Sequence, residues 1–380
     1  MPMFFVIFMT RSSPRRARRS QSNFLDCLLR RLLSQLDVRR WAFDVSASRH
    51  TILVTMVTID AQEEVWPLKE VFRISRGSRT DARVVVLTVS DGKHIGRGEG
   101  VPIKRYNQNI ASVLTQIESI KSEQNLDRNK LEALLPPGAA RNALDCALWD
   151  FEAKTSGKRV WELANMPIVD QVETSFTISL DTPEKMAAAA KAAAARPILK
   201  LKLGGENLDL SRVEAVREAA PNTRLLIDAN ESWSPERYRK IAPSLTKLGV
   251  ELIEQPFPAD ADEVLESLDH PIPVCADESC HSTADLPRLK NRYEVINVKL
   301  DKTGGVTEAL RLCDRARQGG FKLLIGCMVG TSLGMAPARL LASAAEWVDL
   351  DGPLLLAQDR EHELAYANGR IGLPSSHLWG

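Results

Sequence analysis

Lys200 and Lys202 stand two apart in Leu199-Lys-Leu-Lys-Leu203, so on an extended strand both point to the same face. Farther along, short apolar runs end in ionisable residues: Asp228 and Asn230 in Asp-Ala-Asn, Glu254 in Ile253-Glu-Gln-Pro256, Asp277 in Ala276-Asp-Glu-Ser279, and Lys299 in Asn297-Val-Lys-Leu300. One acid at the end of a strand is ordinary and serves a salt bridge or a helix cap. Three successive runs closed by carboxylates differ, because like charges gathered at one mouth repel unless a cation neutralises them. Hard oxygen donors select Mg2+, which takes a few carboxylates and keeps positions for substrate oxygens. Asp228, Glu254 and Asp277 are therefore the expected ligands of one Mg2+ per active site.

The lysines flank that cation. A dication and a second lysine both disfavour an ammonium, so a lowered pKa is expected and each lysine can act as a general base. A substrate carboxylate held by Mg2+ gains stability as an enediolate when the α-proton leaves. With a lysine from the Lys200/Lys202 strand on one face of that carbon and Lys299 on the other, one removes the proton and the other returns it from behind. Such a pair inverts a stereocentre.

These side chains need a scaffold that brings strand ends together. After about Val172, strands and helices alternate, with strands expected at Glu173–Ser179, Leu199–Leu203, Arg224–Ala229, Val250–Gln255, Ile272–Asp277, Val295–Leu300, Lys322–Met328 and Trp347–Asp351. Helical stretches such as Pro183–Ala195, Ser211–Ala219 and Thr307–Gln318 lie between them. Eight strand–helix steps predict an α/β fold, a (β/α)8-type barrel whose strand ends converge at one mouth. From Thr58 to about Gly100 the chain is β-rich, clearest at Ala82–Val89, and helical patterns follow at Asn109–Ile120 and Ala139–Lys154. That order predicts a small α+β domain.

Net charge is +1, which gives the whole chain no general attraction to nucleic acid or membrane. Residues 1–55 nonetheless hold ten Arg and three Asp, hence +7, leaving −6 for the remainder. The apolar run Met3–Met9 is far shorter than the ~20 residues a membrane span needs, and its charges follow it. Phe24–Leu36 could form a short amphipathic helix. An organelle transit peptide shares this Arg- and Ser-rich, acid-poor character. Met56 followed by Val57-Thr-Ile-Asp60 reads instead as the start of a domain, so residues 1–55 are expected to be a disordered extension or a start-site artefact. The six cysteines contain no CxxC pair and the six histidines no paired motif, which argues for reduced thiols and against zinc.

Lys200-Leu-Lys202, Asp228-Ala-Asn230, Glu254-Gln-Pro256, Asp277-Glu-Ser279 and Asn297-Val-Lys299, in this order, resemble the enolase superfamily, specifically its muconate-lactonizing subgroup that includes dipeptide epimerases. The resemblance runs from about Val57 nearly to the C-terminus. It implies an enolase-like organisation, an α+β capping domain at 56–165 and a (β/α)8-type barrel at 166–380 whose C-terminal end returns to the cap, with the basic extension at 1–55 outside it. It further implies Asp228, Glu254 and Asp277 as Mg2+ ligands and Lys202 with Lys299 as the acid/base pair. Lys200 becomes a supporting cation near the substrate carboxylate, and Asn297 joins the substrate-binding residues.

Asp349-Leu-Asp351 resembles the acid pair with which dipeptide epimerases hold an α-ammonium group, and two acids on one strand face suit that task physically. Arg76, in Ser75-Arg-Gly-Ser-Arg79, is placed like a capping-domain arginine and is expected to meet the distal carboxylate of a glutamyl residue. Thr177 resembles a substrate-contacting threonine. A loop acid pair, a solvated arginine and an ordinary strand threonine stay open as plainer readings of the three. Gly138–Asp150, Cys275–His281 and Lys299–Gly305 are similar to bacterial epimerases of L-Ala-D/L-Glu. The resemblance thus implies Mg2+-dependent conversion of L-Ala-D-Glu to L-Ala-L-Glu, a cytoplasmic step in the use of murein peptides.

Related alternatives are an N-acylamino acid racemase, an o-succinylbenzoate synthase and a cycloisomerase, whose substrates lack the α-ammonium that Asp349 and Asp351 would hold. Alternatives of another class are a membrane- or nucleic-acid-associated protein acting through residues 1–55, separable by deleting them, and a barrel that binds without catalysis. The expected partner is a small dipeptide, with no nucleic acid and no membrane, and there is room for a homo-oligomer. One departure from the subgroup is Gly330 in Cys327-Met-Val-Gly-Thr-Ser332, where many members carry a glutamate. The loop Val101–Gln108, with Arg105 and Tyr106, is expected to cover the site.

Overall fold

The computed structural model describes residues 57–380, and the expectations for residues 1–55 lie outside the described residues. Strands β1 (Thr58–Ile74) and β2 (Gly77–Ser90) form a long antiparallel hairpin with Ser75 and Arg76 at its tip, and β3 (Ile95–Gly100) completes a three-stranded sheet. The register of β1 shifts between Pro67 and Phe72, as expected where proline removes a ladder donor. Val85, Leu87 and Val89 alternate inward and pack with Ile59 against helices α1 (Ile110–Glu118), α2 (Arg128–Leu134) and α3 (Ala139–Ser156). Asn109 closes a capping box with Ser112 at the start of α1, and the Asp127 side chain caps α2.

Gly96, Gly98 and Gly100 fall on one face of β3. That face lies so close to the α3 backbone at Ala147, Ala143 and Ala139 that a Cβ on any of the three glycines would overlap it. The period of two turns Glu99 the other way, and it is buried.

Next along the chain, β4 (Val172–Glu173) pairs antiparallel with a tail hairpin of β13 (Tyr366–Ala367) and β14 (Arg370–Ile371). The parallel sheet follows in sequential order: β5 (Phe176–Ile178), β6 (Ile198–Lys202), β7 (Arg224–Asp228), β8 (Val250–Glu254), β9 (Val274–Ala276), β10 (Val295–Val298), β11 (Lys322–Gly326) and β12 (Trp347–Asp349). The Ser175 N–H donates to Val348 O at 2.9 Å and joins the two ends of the sheet. The single strand expected at Glu173–Ser179 is thus two. Thr174 breaks it, since its N–H goes to Gly369 O and its hydroxyl accepts from Leu350 N–H, both at 2.9 Å.

Helices α4 (Pro183–Ala192), α5 (Asp209–Ala219), α6 (Pro235–Lys247), α7 (Val306–Gln318) and α8 (Ser332–Leu341) surround the barrel, with side-chain caps from Thr182, Ser234 and Thr331 on α4, α6 and α8. Two of the expected helical steps contract to short turns, Glu263–Ser267 and Thr283–Leu289. The fifth barrel strand is correspondingly short, three residues after Pro271 and Pro273. Ile198, Leu226, Leu252, Cys275, Val295, Leu324 and Trp347, one from each of β6–β12, form a buried apolar cluster within the sheet. At the C-terminus, Trp379 donates its indole N–H to Cys146 O at 3.0 Å and Gly380 N–H to Asp150 at 2.6 Å, both on α3. Among the described residues no helix is long and apolar enough to cross a membrane.

Candidate active site

Parallel register does the first assembly. Lys202 pairs with Asp228 across β6 and β7, and Asp228 with Glu254 across β7 and β8, so three ionisable side chains stand side by side at the strand ends. Asp277, just past β9, joins them. Asp228, Glu254 and Asp277 are all buried and each offers an oxygen within 4.8 Å of the others. Burial and the charge of Asp228 push Glu254 up to about 7. Lys200 Nζ lies 2.6 Å from Glu254 Oε2, but off the hydrogen-bonding directions, so that oxygen stays unsatisfied. Three converging buried carboxylates, one under-compensated, are a donor set that suits a hard dication.

Lys202 Nζ donates to Asp228 Oδ2 and Lys299 Nζ to Asp277 Oδ2, each at 2.6 Å. Strands β6 and β10 are four apart in an eight-stranded ring, so the two ammonium groups face each other across the carboxylates. Burial opposes the charge on Asp228, but Lys202 and Lys200 outweigh it and hold the carboxyl at about 2. Among the side chains alone, burial works against the charge of Lys299, yet Asp277 and Glu254 win and raise its pKa; a dication on the same carboxylates would act the other way. The sequence-based expectation counted the cation and the neighbouring lysine but not this ion pair. Lys200, two residues earlier on β6, is fully buried among Asp349 at 2.7 Å, Glu254 at 2.6 Å and Asp228 at 3.5 Å.

The capping domain fixes the chain just beyond Lys299. From one face of α3, Arg141 donates to Thr303 O at 2.6 Å and Asn142 to Asp301 at 2.8 Å. Asp145 accepts from Thr307 N–H at 3.0 Å, and Trp149 donates to the Thr307 hydroxyl at 3.0 Å. Within that segment Lys302 donates to Asp277 Oδ1 at 2.7 Å and to Asn297 O at 3.0 Å, which ties the fifth strand end to the sixth. Gln255 ties the fourth to the fifth, its Oε1 accepting from Asp277 N–H at 2.9 Å and Ser279 N–H at 3.1 Å. Asn230, Glu231 and Gln255 all have positive φ (43°, 65° and 35°), so the backbone is strained just past two of the carboxylates.

Asp349 ends β12 and Asp351 lies beyond it. Asp349 accepts from Lys200 at 2.7 Å and from the Ser175 hydroxyl at 2.5 Å, while Asp351 Oδ2 accepts from Thr177 N–H at 2.6 Å. Burial and the charge of Asp349 push Asp351 up to about 6, the condition in which an added ammonium is stabilising. Asn297 donates to Glu254 Oε1 at 2.8 Å and is fully buried, so the structure places it behind a candidate metal ligand. Arg76, at the hairpin tip, donates to Asn230 O at 2.9 Å, Glu231 at 3.1 Å and Glu278 at 2.6 Å. From the loop Val101–Gln108, Arg105 grips Glu231 and Tyr106 stacks edge-on against His281, with ring centres 4.4 Å apart.

Several of these partners were not singled out from sequence. Glu278, Lys302 and Gln255 lie inside the motifs quoted above and could have been found there. Ser175 meets Asp349 across 174 positions of chain, and no spacing announces such a pairing.

Gly330 sits where the buried Glu99 carboxylate arrives from β3. A Cβ at Gly330 would lie 2.7 Å from Glu99 Oε1. That carboxylate cannot easily step aside, because it accepts from Thr331 N–H at 2.8 Å and from Arg360 at 3.0 Å. The strand-seven glycine thus makes room for an acid supplied by the cap. Gly330→Ala should cost about 1–3 kcal/mol through overpacking, read as a lower thermal midpoint; an unchanged midpoint would mean Glu99 moves freely.

Comparison with known proteins bears on the family and the fold. Residues 56–164 match the mandelate racemase / muconate lactonizing enzyme N-terminal domain and residues 185–377 the enolase C-terminal domain-like family. The chain is 44% identical to an L-Ala-D/L-Glu epimerase of Escherichia coli over 322 residues, 84% of this chain and 100% of that one. It is also 44% identical over 301 residues to an N-acetyl-D-glutamate racemase of a Pseudoalteromonas species, 78% of this chain and 95% of the other. An enolase family member from Agrobacterium tumefaciens, with homology to dipeptide epimerases and bound sodium and L-Ala-L-Glu, superposes with a TM-score of 0.83 at 46% identity. The superposition covers 86% of this chain and 100% of that one.

Proposed function

The chain belongs to the mandelate racemase/muconate lactonizing enzyme family of the enolase superfamily, and on that premise we propose that it is an isomerase that epimerises dipeptides, converting L-Ala-D-Glu to L-Ala-L-Glu. The observation that carries this reading is the pair Lys202 and Lys299, facing each other across three buried carboxylates. Asp228, Glu254 and Asp277 would hold one Mg2+, which when bound would supply positive charge to offset that developing on the substrate carboxylate as the α-proton leaves. Lys202 and Lys299 address opposite faces of that carbon, one taking the proton and the other delivering one. Lys200 offsets part of the charge of Asp228, Glu254 and Asp349. Asn297 holds Glu254 in place.

Asp349 and Asp351 take the substrate's α-ammonium, Thr177 presents Asp351, and Arg76 meets the distal carboxylate of the glutamyl residue. The capping domain begins near residue 56 and the barrel near residue 166. The five described cysteines are all free, which suits a reducing, cytoplasmic setting and a part in murein peptide use. Proton NMR of L-Ala-D-Glu with enzyme and Mg2+ tests the reaction, through the appearance of the L-Ala-L-Glu diastereomer.

A second reading, racemisation of an N-acyl glutamate, draws on the 44% identity to the N-acetyl-D-glutamate racemase. The acid pair separates the two. With Asp351 near 6, kcat/KM for the dipeptide should fall as pH drops through about 6, because protonation removes an anion from the ammonium site. N-propionyl-L-glutamate has the same frame without the ammonium. Its inhibition constant should change less than the dipeptide's kcat/KM across that window, because what Glu254 contributes near 7 is common to both ligands, and an equal pH dependence for both would contradict the assignment of the acid pair.

A further inference from the structure

We propose that Arg105 is a specificity-determining positioning residue: by taking up most of the charge of Glu231 it lessens that acid's hold on Arg76, so that Arg76 can also attract an acidic substrate side chain. The inference rests on the reading of Arg76 as the partner of a distal carboxylate and assigns what sets its strength. Three elements meet at Glu231. Arg105 reaches it from the short turn Lys104–Tyr106, Nε to Oε2 and Nη2 to Oε1, both at 3.0 Å. Arg76 reaches Oε2 from the β1–β2 hairpin tip at 3.1 Å. The Ala259 N–H donates to Oε1 at 2.9 Å.

Two guanidinium groups thus share one glutamate, and the division is unequal. Arg105 holds both oxygens in a planar fork, the stronger arrangement, while Arg76 has a single contact and is also turned to Glu278 at 2.6 Å. Counted as charges, Arg76, Arg105, Glu231 and Glu278 balance. Without Arg105 the group carries one excess negative charge, and Glu231 is left to close on Arg76 alone. An incoming carboxylate would then meet a neutralised arginine among acids. A side chain with no charge would feel little of this.

Glu231 is held for this task by its backbone. It occupies a left-handed conformation, φ 65°, directly after Asn230, whose carbonyl accepts from Ser75 at 3.0 Å and Arg76 at 2.9 Å. Its side chain is 8% exposed, against 42% for Arg105, so the acid is fixed and the arginine comes to it from outside.

The test compares L-Ala-L-Glu with L-Ala-L-Gln as substrates of the full-length enzyme, Arg105→Ala, Arg105→Lys and the double variant Arg105→Ala/Glu231→Gln. Arg105→Ala should raise KM for L-Ala-L-Glu roughly three- to tenfold, with less than a twofold change for L-Ala-L-Gln. Arg105→Lys should recover part of the loss. The double variant, in which the charges balance again, should return KM for L-Ala-L-Glu towards the wild-type value. Equal losses on both dipeptides would make Arg105 a merely structural anchor of its loop, and no recovery in the double variant would mean it contacts the substrate directly. Either result overturns the inference. A wild-type enzyme that epimerises neither dipeptide overturns the underlying reading, and this inference falls with it.

Discussion

Lys202→Ala and Lys299→Ala are each expected to lose epimerisation by roughly 10²–10⁴-fold, the usual worth of a general acid or base. Inversion needs a proton taken from one face and another returned to the opposite face, so neither lysine can cover for its partner. Each variant should still exchange the α-proton of one epimer with solvent deuterium, because the surviving lysine can take and return a proton on its own side. The two variants should therefore exchange opposite epimers. Removing Lys202 also leaves Asp228 with Lys200 alone, at 3.5 Å, so thermal denaturation belongs beside the kinetics to show that the barrel is intact. Substantial epimerisation in either folded variant would contradict the two-base assignment.

Chelation should have an effect of similar size. EDTA-treated enzyme is expected to lose epimerisation and to recover it with Mg2+. Asp277→Asn goes further, because Asp277 compensates both Lys299 at 2.6 Å and Lys302 at 2.7 Å. Its loss leaves buried ammonium groups short of an anion, a change worth about 3–5 kcal/mol of stability. The variant should show a lower thermal midpoint, and Mg2+ at concentrations that restore the wild type should fail to restore it. Full activity after exhaustive chelation would remove the metal from the mechanism.

The barrel and its acidic mouth were legible because parallel strands make chemistry local in sequence. Lys200 and Lys202 share a face by the two-residue repeat, and Asp228, Glu254 and Asp277 each mark the end of an apolar run. The cross-chain supports were not legible. That α3 would dock on Leu300–Thr307, or that Glu99 would arrive beside Gly330, depends on how the capping domain sits on the barrel, and no local pattern encodes that contact. Strand boundaries slipped where side chains compete with the ladder. Thr174 turns an expected single strand into two, and Pro271 and Pro273 shorten the fifth. The ion pair of Lys299 with Asp277 was not legible for a related reason, since the two residues come from different strand ends and meet only in three dimensions.

Proton NMR of L-Ala-L-Glu and L-Ala-D-Glu in D2O, with enzyme and Mg2+, tests most directly whether Lys202 and Lys299 invert a glutamyl α-carbon. The glutamyl α-proton signal should vanish from either starting dipeptide as the other diastereomer, deuterated at that carbon, accumulates. Folded, Mg2+-supplied enzyme that leaves both α-proton signals intact would contradict the Ala-Glu assignment, and the barrel's proton-transfer pair would then have to serve a different substrate.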